Sequence, residues 1–155
     1  MKLYLIQHGE AKTKEEDSSR PLTDIGIGNV RRIASYAAKH LNVKPHQIIH
    51  SGAARAEQTA QIFMEHLKPA GGMKALEYLS PMDDPEIWAE RVSDIKDDLM
   101  LVGHLPNIKR ITSVLLCGNP DNAIVNFQNG GIVCLSREES GNWVICWVLL
   151  PDMID

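Results

Sequence analysis

The chain reads as an α/β protein: a three-layer α/β/α sandwich whose central sheet is mostly parallel, with antiparallel strands added at its C-terminal end. Two observations predict this. Through about residue 117, short apolar runs alternate with segments of helical period, the pattern of strand–helix–strand units covered on both faces. After Gly131, two apolar runs flank a polar turn instead, which is the pattern of a β-hairpin.

The elements follow in order. Leu3-Tyr4-Leu5-Ile6 is an apolar run that stops abruptly at Gln7-His8-Gly9-Glu10, and it reads as a buried first strand. A charged loop from Lys12 to Arg20 leads to Pro21-Leu22-Thr23. Thr23 is placed to cap a helix carrying Ile27, Val30, Ala34, Ala37 and Leu41 at helical spacing. Val43-Lys44-Pro45 breaks the chain before Gln47-Ile48-Ile49-His50, a short second strand. Ser51-Gly52 follows. A second helix from Ala53 presents Ala56, Ala60, Phe63 and Leu67 on one face, and Pro69 to Gly72 ends it. A weak strand is expected over Lys74 to Tyr78, and a third helix between Pro85 and Ile95. Leu99-Met100-Leu101-Val102 is the clearest buried strand and ends at Gly103-His104. A fourth helix is expected to carry Leu105, Ile108, Ile111 and Leu115, stopping near Cys117-Gly118-Asn119-Pro120. Gly131 to Leu135 and Trp143 to Val148 form the hairpin around Glu138-Glu139-Ser140-Gly141-Asn142. There are no internal repeats, low-complexity stretches or linkers, so residues 1–155 are expected to form a single domain.

Composition narrows the function. A net charge of −4 argues against a nucleic-acid or anionic-membrane partner, so an anionic substrate needs a local cluster of cations. No apolar stretch has the length of a membrane span. Cys117, Cys134 and Cys146 form no CxxC pair, and they read as reduced, mostly buried thiols of a cytoplasmic protein.

Three predicted strand ends carry polar groups: Gln7-His8-Gly9, Ser51 with Arg55 one turn into the next helix, and Gly103-His104. In a parallel sheet these ends share one edge, where open α/β folds bind ligands. Helix N-termini nearby add N–H donors for an anion. Each residue alone has an ordinary structural explanation, as a cap, a packed histidine or a solvated cation. Together, two histidines and an arginine at matching strand ends describe a phosphate pocket. Gly9 is expected to let backbone approach the ligand and to take a φ that other residues avoid.

These motifs resemble the histidine phosphatase superfamily, also called phosphoglycerate-mutase-like, and within it the small bacterial protein-histidine phosphatases of the SixA type. The resemblance rests on Gln7-His8-Gly9-Glu10 and on Arg20-Pro21-Leu22-Thr23 followed by Gly26. It continues in the string Ser51-Gly52-Ala53-Ala54-Arg55-Ala56-Glu57-Gln58-Thr59-Ala60, in Leu79-Ser80-Pro81 and in Val102-Gly103-His104-Leu105-Pro106. It implies a phosphoglycerate-mutase-like fold and a metal-independent phosphatase without cofactor, in which His8 attacks phosphorus and is transiently phosphorylated. A backbone carbonyl near Gly9 would hold the second ring nitrogen of His8. Arg55, His104 and Gln7 would contact the equatorial oxygens, with Ser51 and Gly9 also at the substrate and Arg20 at the rim. One position departs from the family, whose hallmark is Arg-His-Gly: this chain has Gln7 where the arginine stands. The lost charge-assisted bond is worth about 1.5–3 kcal/mol, and Arg20 is placed to supply part of it.

The resemblance implies a general acid after the third strand, where Glu77, Asp83 and Asp84 are the candidates, though all three read more readily as solvated loop residues. A phosphorylated imidazole needs such an acid least, because its leaving nitrogen is readily expelled. His40 and His66 fall near helix C-termini, where a partly protonated ring meets the dipole favourably. His46 lies in a loop, and His50 reads as a packed residue. No pair has metal-ligand spacing on a helix, so no metal site is expected. The resulting expectation is a phosphatase acting on a phosphorylated histidine-containing protein such as a phosphotransfer domain. The alternatives are a phosphatase for a small phosphorylated metabolite and, because of Gln7, a weakly active phosphate- or phosphopeptide-binding module.

Overall fold

The computed structural model describes residues 1–155. Its elements are β1 (Lys2–Gln7), α1 (Asp24–His40), β2 (Gln47–His50), α2 (Ala54–Leu67), β3 (Met73–Ala75), α3 (Pro85–Asp94), β4 (Leu99–Gly103), α4 (Asn107–Cys117), β5 (Ile132–Arg137) and β6 (Trp143–Leu149), with a short 3-10 turn at Pro151–Met153. The six strands form one sheet in the order β3-β2-β4-β1-β5-β6. β1, β2, β3 and β4 pair in parallel, while β5 is antiparallel to β1 and β6 antiparallel to β5. This is the expected mixed sheet, with β5 the one strand that runs against the others.

Side chains along each strand alternate between two cores, as a period of two requires. Tyr4, Ile6, Ile48, Met100 and Val102 pack with Val30, Ile33 and Ala34 of α1 and with Ala56, Ala60 and Phe63 of α2. Leu3, Leu5, Ile49, Leu99 and Leu101 face the other way, onto Trp88 and Val92 of α3 and Ile108 and Ile111 of α4. Two helices on each face make the three layers. Val125 and Phe127, in the irregular run before β5, close the second core.

Several boundaries differ from the sequence expectation. β3 stops at Ala75 rather than reaching Tyr78, whose φ of +71 takes the chain out of the extended region. Leu105 lies outside α4 and is 38% exposed. A residue before proline is disfavoured in the helical region, so the helix starts at Asn107, behind Pro106. The thiols are unpaired, but Cys117 and Cys146 are exposed and only Cys134 is buried. Cys146 is on the sheet's outer strand and Cys117 at the last turn of α4, neither of which the core covers. No helix is long and apolar enough to cross a membrane.

The topology sets the functional edge. β4 lies between β2 and β1, with Gln7 in register with Gly103 and His50 with Val102. The next residues, His8, His104 and Ser51, therefore leave three adjacent parallel strands at nearly the same height.

Candidate active site

Each histidine of the pair is held from a different side. His8 N–H donates to the carbonyl of Gly103, and Asn129 Nδ2 donates to the His8 carbonyl over 2.9 Å. In the ring, Nδ1 lies 2.7 Å from the Gly9 carbonyl. A carbonyl only accepts, so Nδ1 carries the proton and Nε2 keeps its lone pair. His104 is buried, its Nε2 lies 2.6 Å from Ser51 Oγ, and its ring centroid is 4.9 Å from that of His8.

Gly9 works differently from the expectation. Its N–H donates to Thr59 Oγ1 over 2.9 Å, and its carbonyl is engaged by His8. Its φ is unexceptional, and a Cβ there would come within 2.8 Å of Val30 Cγ2. The structural demand for glycine here is therefore the close packing of the His8 loop against α1, and the expected unusual φ is not seen. Gly26 answers from the helix: a Cβ there would collide with the Glu10 carbonyl. Thr23 caps α1 as expected, accepting the Gly26 N–H over 2.9 Å.

Arg55 stands in the first turn of α2, and Arg20 occupies the left-handed region at φ +49 with its Nε donating to Lys12 O over 3.0 Å. Both cations act on the histidines. Burial pushes the His8 imidazole down to about 4, with Arg55 and Arg20 adding to the effect and the Gly9 carbonyl opposing it. Burial also pushes His104 down to about 3, reinforced by His8, Arg55 and Arg20. Arg55 is lowered by burial and by Arg20. At neutral pH the centre therefore holds two uncharged imidazoles beside two guanidinium groups.

Four buried side-chain polar atoms in the molecule lack a protein partner, and three of them are Gln7 Oε1, Arg55 Nε and His104 Nδ1. Buried polar groups are ordinarily satisfied, so their concentration at one strand edge marks a place built for a polar ligand. A half-turn of the Gln7 amide would present its NH2 at the buried oxygen position, giving an anion a donor there. The fourth such atom, Asn107 Oδ1, belongs to a fully buried residue three positions after His104.

Of the three carboxylates, Asp83 accepts the Ser80 N–H over 2.8 Å, and Asp84 caps α3 through the Glu86 N–H over 3.0 Å. Both serve the turn before α3. Glu77 alone lines a cavity beside Ser51. The remaining histidines stand apart from the centre: His50 is buried and accepts the Gly52 N–H, His40 stacks on Tyr36, and His66 donates to Ile62 O. No group of three or more His, Cys, Asp or Glu side chains is arranged to hold a metal.

Two contributors had no assigned role in the sequence reading. Thr59 was visible inside the Ser51–Ala60 string, yet nothing in the string says that its hydroxyl bridges Gly9 and Arg55. Asn129 lies in an irregular run with no periodicity, and no sequence signal points to it.

Residues 3–80 match the histidine phosphatase superfamily (branch 1). The chain belongs to that superfamily. The matched half contains His8, Arg20, Ser51 and Arg55, whereas His104 joins them through the topology of β4. No protein of curated function matches the chain by sequence. Among solved structures, a protein histidine phosphatase SixA complexed with tungstate is 24% identical, with 99% of each chain covered and a TM-score of 0.85. The α-ribazole phosphatase from Shigella flexneri is 14% identical, with 97% of this chain and 96% of that one covered and a TM-score of 0.79. A phosphoserine phosphatase from Entamoeba histolytica in complex with 3-phosphoglyceric acid is 19% identical, with 96% of each chain covered and a TM-score of 0.71. At these identities the likeness is one of fold.

Proposed function

We propose that this chain is a phosphohistidine phosphatase that removes phosphoryl groups from protein histidines through a covalent phosphohistidine on His8. The observation that carries the reading is the state of His8: Nδ1 donates to Gly9 O over 2.7 Å, and the ring is held neutral with its pKa near 4. Nε2 is then a nucleophile at neutral pH without a base to activate it.

In the first step Nε2 bonds to phosphorus as the bond from phosphorus to the substrate's imidazole nitrogen breaks. That nitrogen keeps the electron pair and takes a proton from solvent. Arg55, His104 and the Gln7 amide would bear on the equatorial oxygens, with Arg20 at the rim; preorganised donors of this kind supply most of the stabilisation in phosphoryl transfer. In the second step water oxygen bonds to phosphorus and releases a proton to solvent. The N–P electron pair returns to Nε2, and inorganic phosphate leaves. Positive side chains do the neutralising throughout, so the reaction proceeds without a metal.

The commitment of Asp83 and Asp84 to the α3 turn favours this substrate class, because an imidazole leaves without a strong acid behind it. The SixA neighbour supports the same reading. The α-ribazole and phosphoserine phosphatases among the neighbours favour a second one, a small phosphorylated metabolite. Unpaired cysteines support a cytoplasmic location, with the 155 residues as one catalytic domain. Phosphatase assays on phosphorylated histidine-phosphotransfer domains and on a panel of phosphorylated metabolites test the proposal, with a His8→Ala control. His8-dependent turnover of the phosphoproteins is expected. Turnover confined to metabolites selects the second reading, and phosphate binding without any turnover selects a binding module.

A further inference from the structure

A groove runs from the catalytic centre to a cation that has no carboxylate within ion-pair distance. Its first part, a cavity of about 450 Å³, is lined by Ser51, Ala75, Leu76, Glu77 and Arg91. Ser51 is the residue hydrogen-bonded to His104, so this cavity opens directly beside the phosphate site. A second cavity of about 650 Å³ shares Leu76 and Arg91 and continues over the apolar side chains of Ile49, Trp88 and Ile95. Arg91 is where the two meet.

Arg91 is held in place by aromatic faces. Its guanidinium carbon lies 4.9 Å from the centroid of Trp88 and 5.1 Å from that of Tyr78. Trp88 is fixed in turn: it is buried, and its Nε1 donates to the Glu77 carbonyl over 3.0 Å. Tyr78 keeps its position at a φ of +71, a strained conformation for a bulky side chain and one that clusters at functional sites. The molecule's single ion pair between side chains is Arg110–Asp121, so Arg91 has no acidic partner. Its one side-chain hydrogen bond is a long one, donated by Nη1 to the Glu77 carbonyl at 3.5 Å rather than to the Glu77 carboxylate. Packing against aromatic faces holds a guanidinium in place and leaves its remaining N–H groups free for an anion.

The strand order sets the direction. From His8 at the end of β1 the sheet passes through β4 to β2 and β3, so the groove lies two strands across from the nucleophile. An in-line displacement expels its leaving group away from the attacking nitrogen. We propose that Arg91 is a specificity-determining residue that receives a carboxylate carried by the substrate on its leaving-group side. This rests on the phosphatase reading, and for a phosphohistidine protein the carboxylate is an acidic side chain close to the phosphorylated histidine. Glu77 and Asp94 line the same groove and Lys74 adds a cation, but Arg91 is the only charged residue that lines both cavities.

The test uses two peptides phosphorylated on a single histidine and identical but for one neighbour, glutamate in one and glutamine in the other. A second pair, phosphoglycolate and ethyl phosphate, differs by a carboxylate in the same way. The readout is the ratio of kcat/KM within a pair, so any general loss of folded enzyme cancels. The wild type is expected to favour the acidic member by roughly tenfold, through KM, as a charge-assisted bond made equally in the ground and transition states predicts. Arg91→Gln should abolish the preference, Arg91→Lys should keep part of it, and Arg91→Glu should reverse it. A preference seen only in the ester pair moves the substrate to the metabolite class and leaves the role of Arg91 standing. Equal turnover within both pairs, or a preference that survives Arg91→Gln, overturns the proposal. Failure to turn over any of the four overturns both it and the phosphatase reading.

Discussion

Gly9 donates its N–H to Thr59 Oγ1 over 2.9 Å, and the same hydroxyl donates to the Arg55 carbonyl over 2.7 Å. One fully buried threonine thereby ties the loop that presents His8 to the helical turn that presents Arg55. Because the Gly9 carbonyl also orients the His8 ring, this contact reaches the proposed nucleophile through two hydrogen bonds. Thr59→Val removes both bonds at nearly constant volume and leaves a buried N–H unsatisfied, at a cost of about 1–3 kcal/mol in stability. Small misplacements of reacting groups also lower rates, by up to about 100-fold for roughly 1 Å. Thr59→Ser keeps the hydroxyl and should restore most of kcat. Equal kcat in the valine and serine variants, in the face of a stability difference, would show that Thr59 supports the fold without positioning the site.

The second prediction concerns covalency. If His8 carries the phosphoryl group, a rapid alkaline quench should trap an acid-labile phosphate on that residue, and His8→Ala should abolish turnover. Arg55→Ala should lower kcat by about 100-fold or more, the usual cost of losing one preorganised donor to a developing anion. Wild-type turnover in His8→Ala would remove the mechanism altogether.

The depressed histidines make a prediction about acid. With His8 near 4 and His104 near 3 in the folded chain, against 6.5 for an unperturbed histidine, the unfolded state binds more protons once the pH drops below 6.5. Stability from these groups is complete above pH 6.5 and is lost as the pH falls towards 4 and then 3. Within that window each contributes a slope of about 1.4 kcal/mol per pH unit at most. His8→Asn with His104→Asn should flatten the decline of denaturant stability between pH 6.5 and 4. An unchanged slope would mean that neither ring is depressed. The acid limb of kcat/KM should correspondingly lie near pH 4, well below the range of a free histidine.

Chelation gives the fourth prediction. Neutralisation by Arg55 and Arg20 predicts full activity after EDTA treatment and dialysis. Loss of activity restored by a divalent ion would count against the proposed chemistry.

How much of this was legible beforehand can be argued residue by residue. The convergence of His8, Ser51, Arg55 and His104 was legible because strand ends are readable from apolar runs, and parallel strands bring their ends to one edge. Thr23 was found because capping is a local rule written in adjacent residues. Leu105 was misplaced because helical spacing was followed through a proline whose restriction on its predecessor decides the helix start. The unusual φ expected of Gly9 is absent, and what demands a glycine is its neighbour Val30 of α1, a contact between packed elements that no local pattern encodes. The partners of Thr59 and Asn129 belong to the same class, since a hydrogen bond across 50 or 121 residues exists only after folding. The Arg91 groove is tertiary throughout, assembled from β2, the loop after β3 and α3.

The last prediction concerns Gln7, which stands where the family carries an arginine. The Gln7 Oε1 is buried without a partner, beside a strand end that also leaves Arg55 Nε and His104 Nδ1 unpartnered. Gln7→Arg should tighten binding of phosphate or tungstate, by tenfold for each 1.4 kcal/mol gained, up to about 1.5–3 kcal/mol in all. The gain should be greatest for dianions and should shrink with added salt where solvent reaches the pocket. A third guanidinium carries a cost in the absence of ligand, because Arg20 already depresses Arg55 electrostatically across this site. The variant should therefore melt at a lower temperature than wild type without phosphate and at an equal or higher one with it. Calorimetric titration with phosphate and paired melting curves measure both effects. If affinity and both melting temperatures stay unchanged, the side chain at position 7 does not reach the anion, and Arg55, Arg20 and His104 alone hold it.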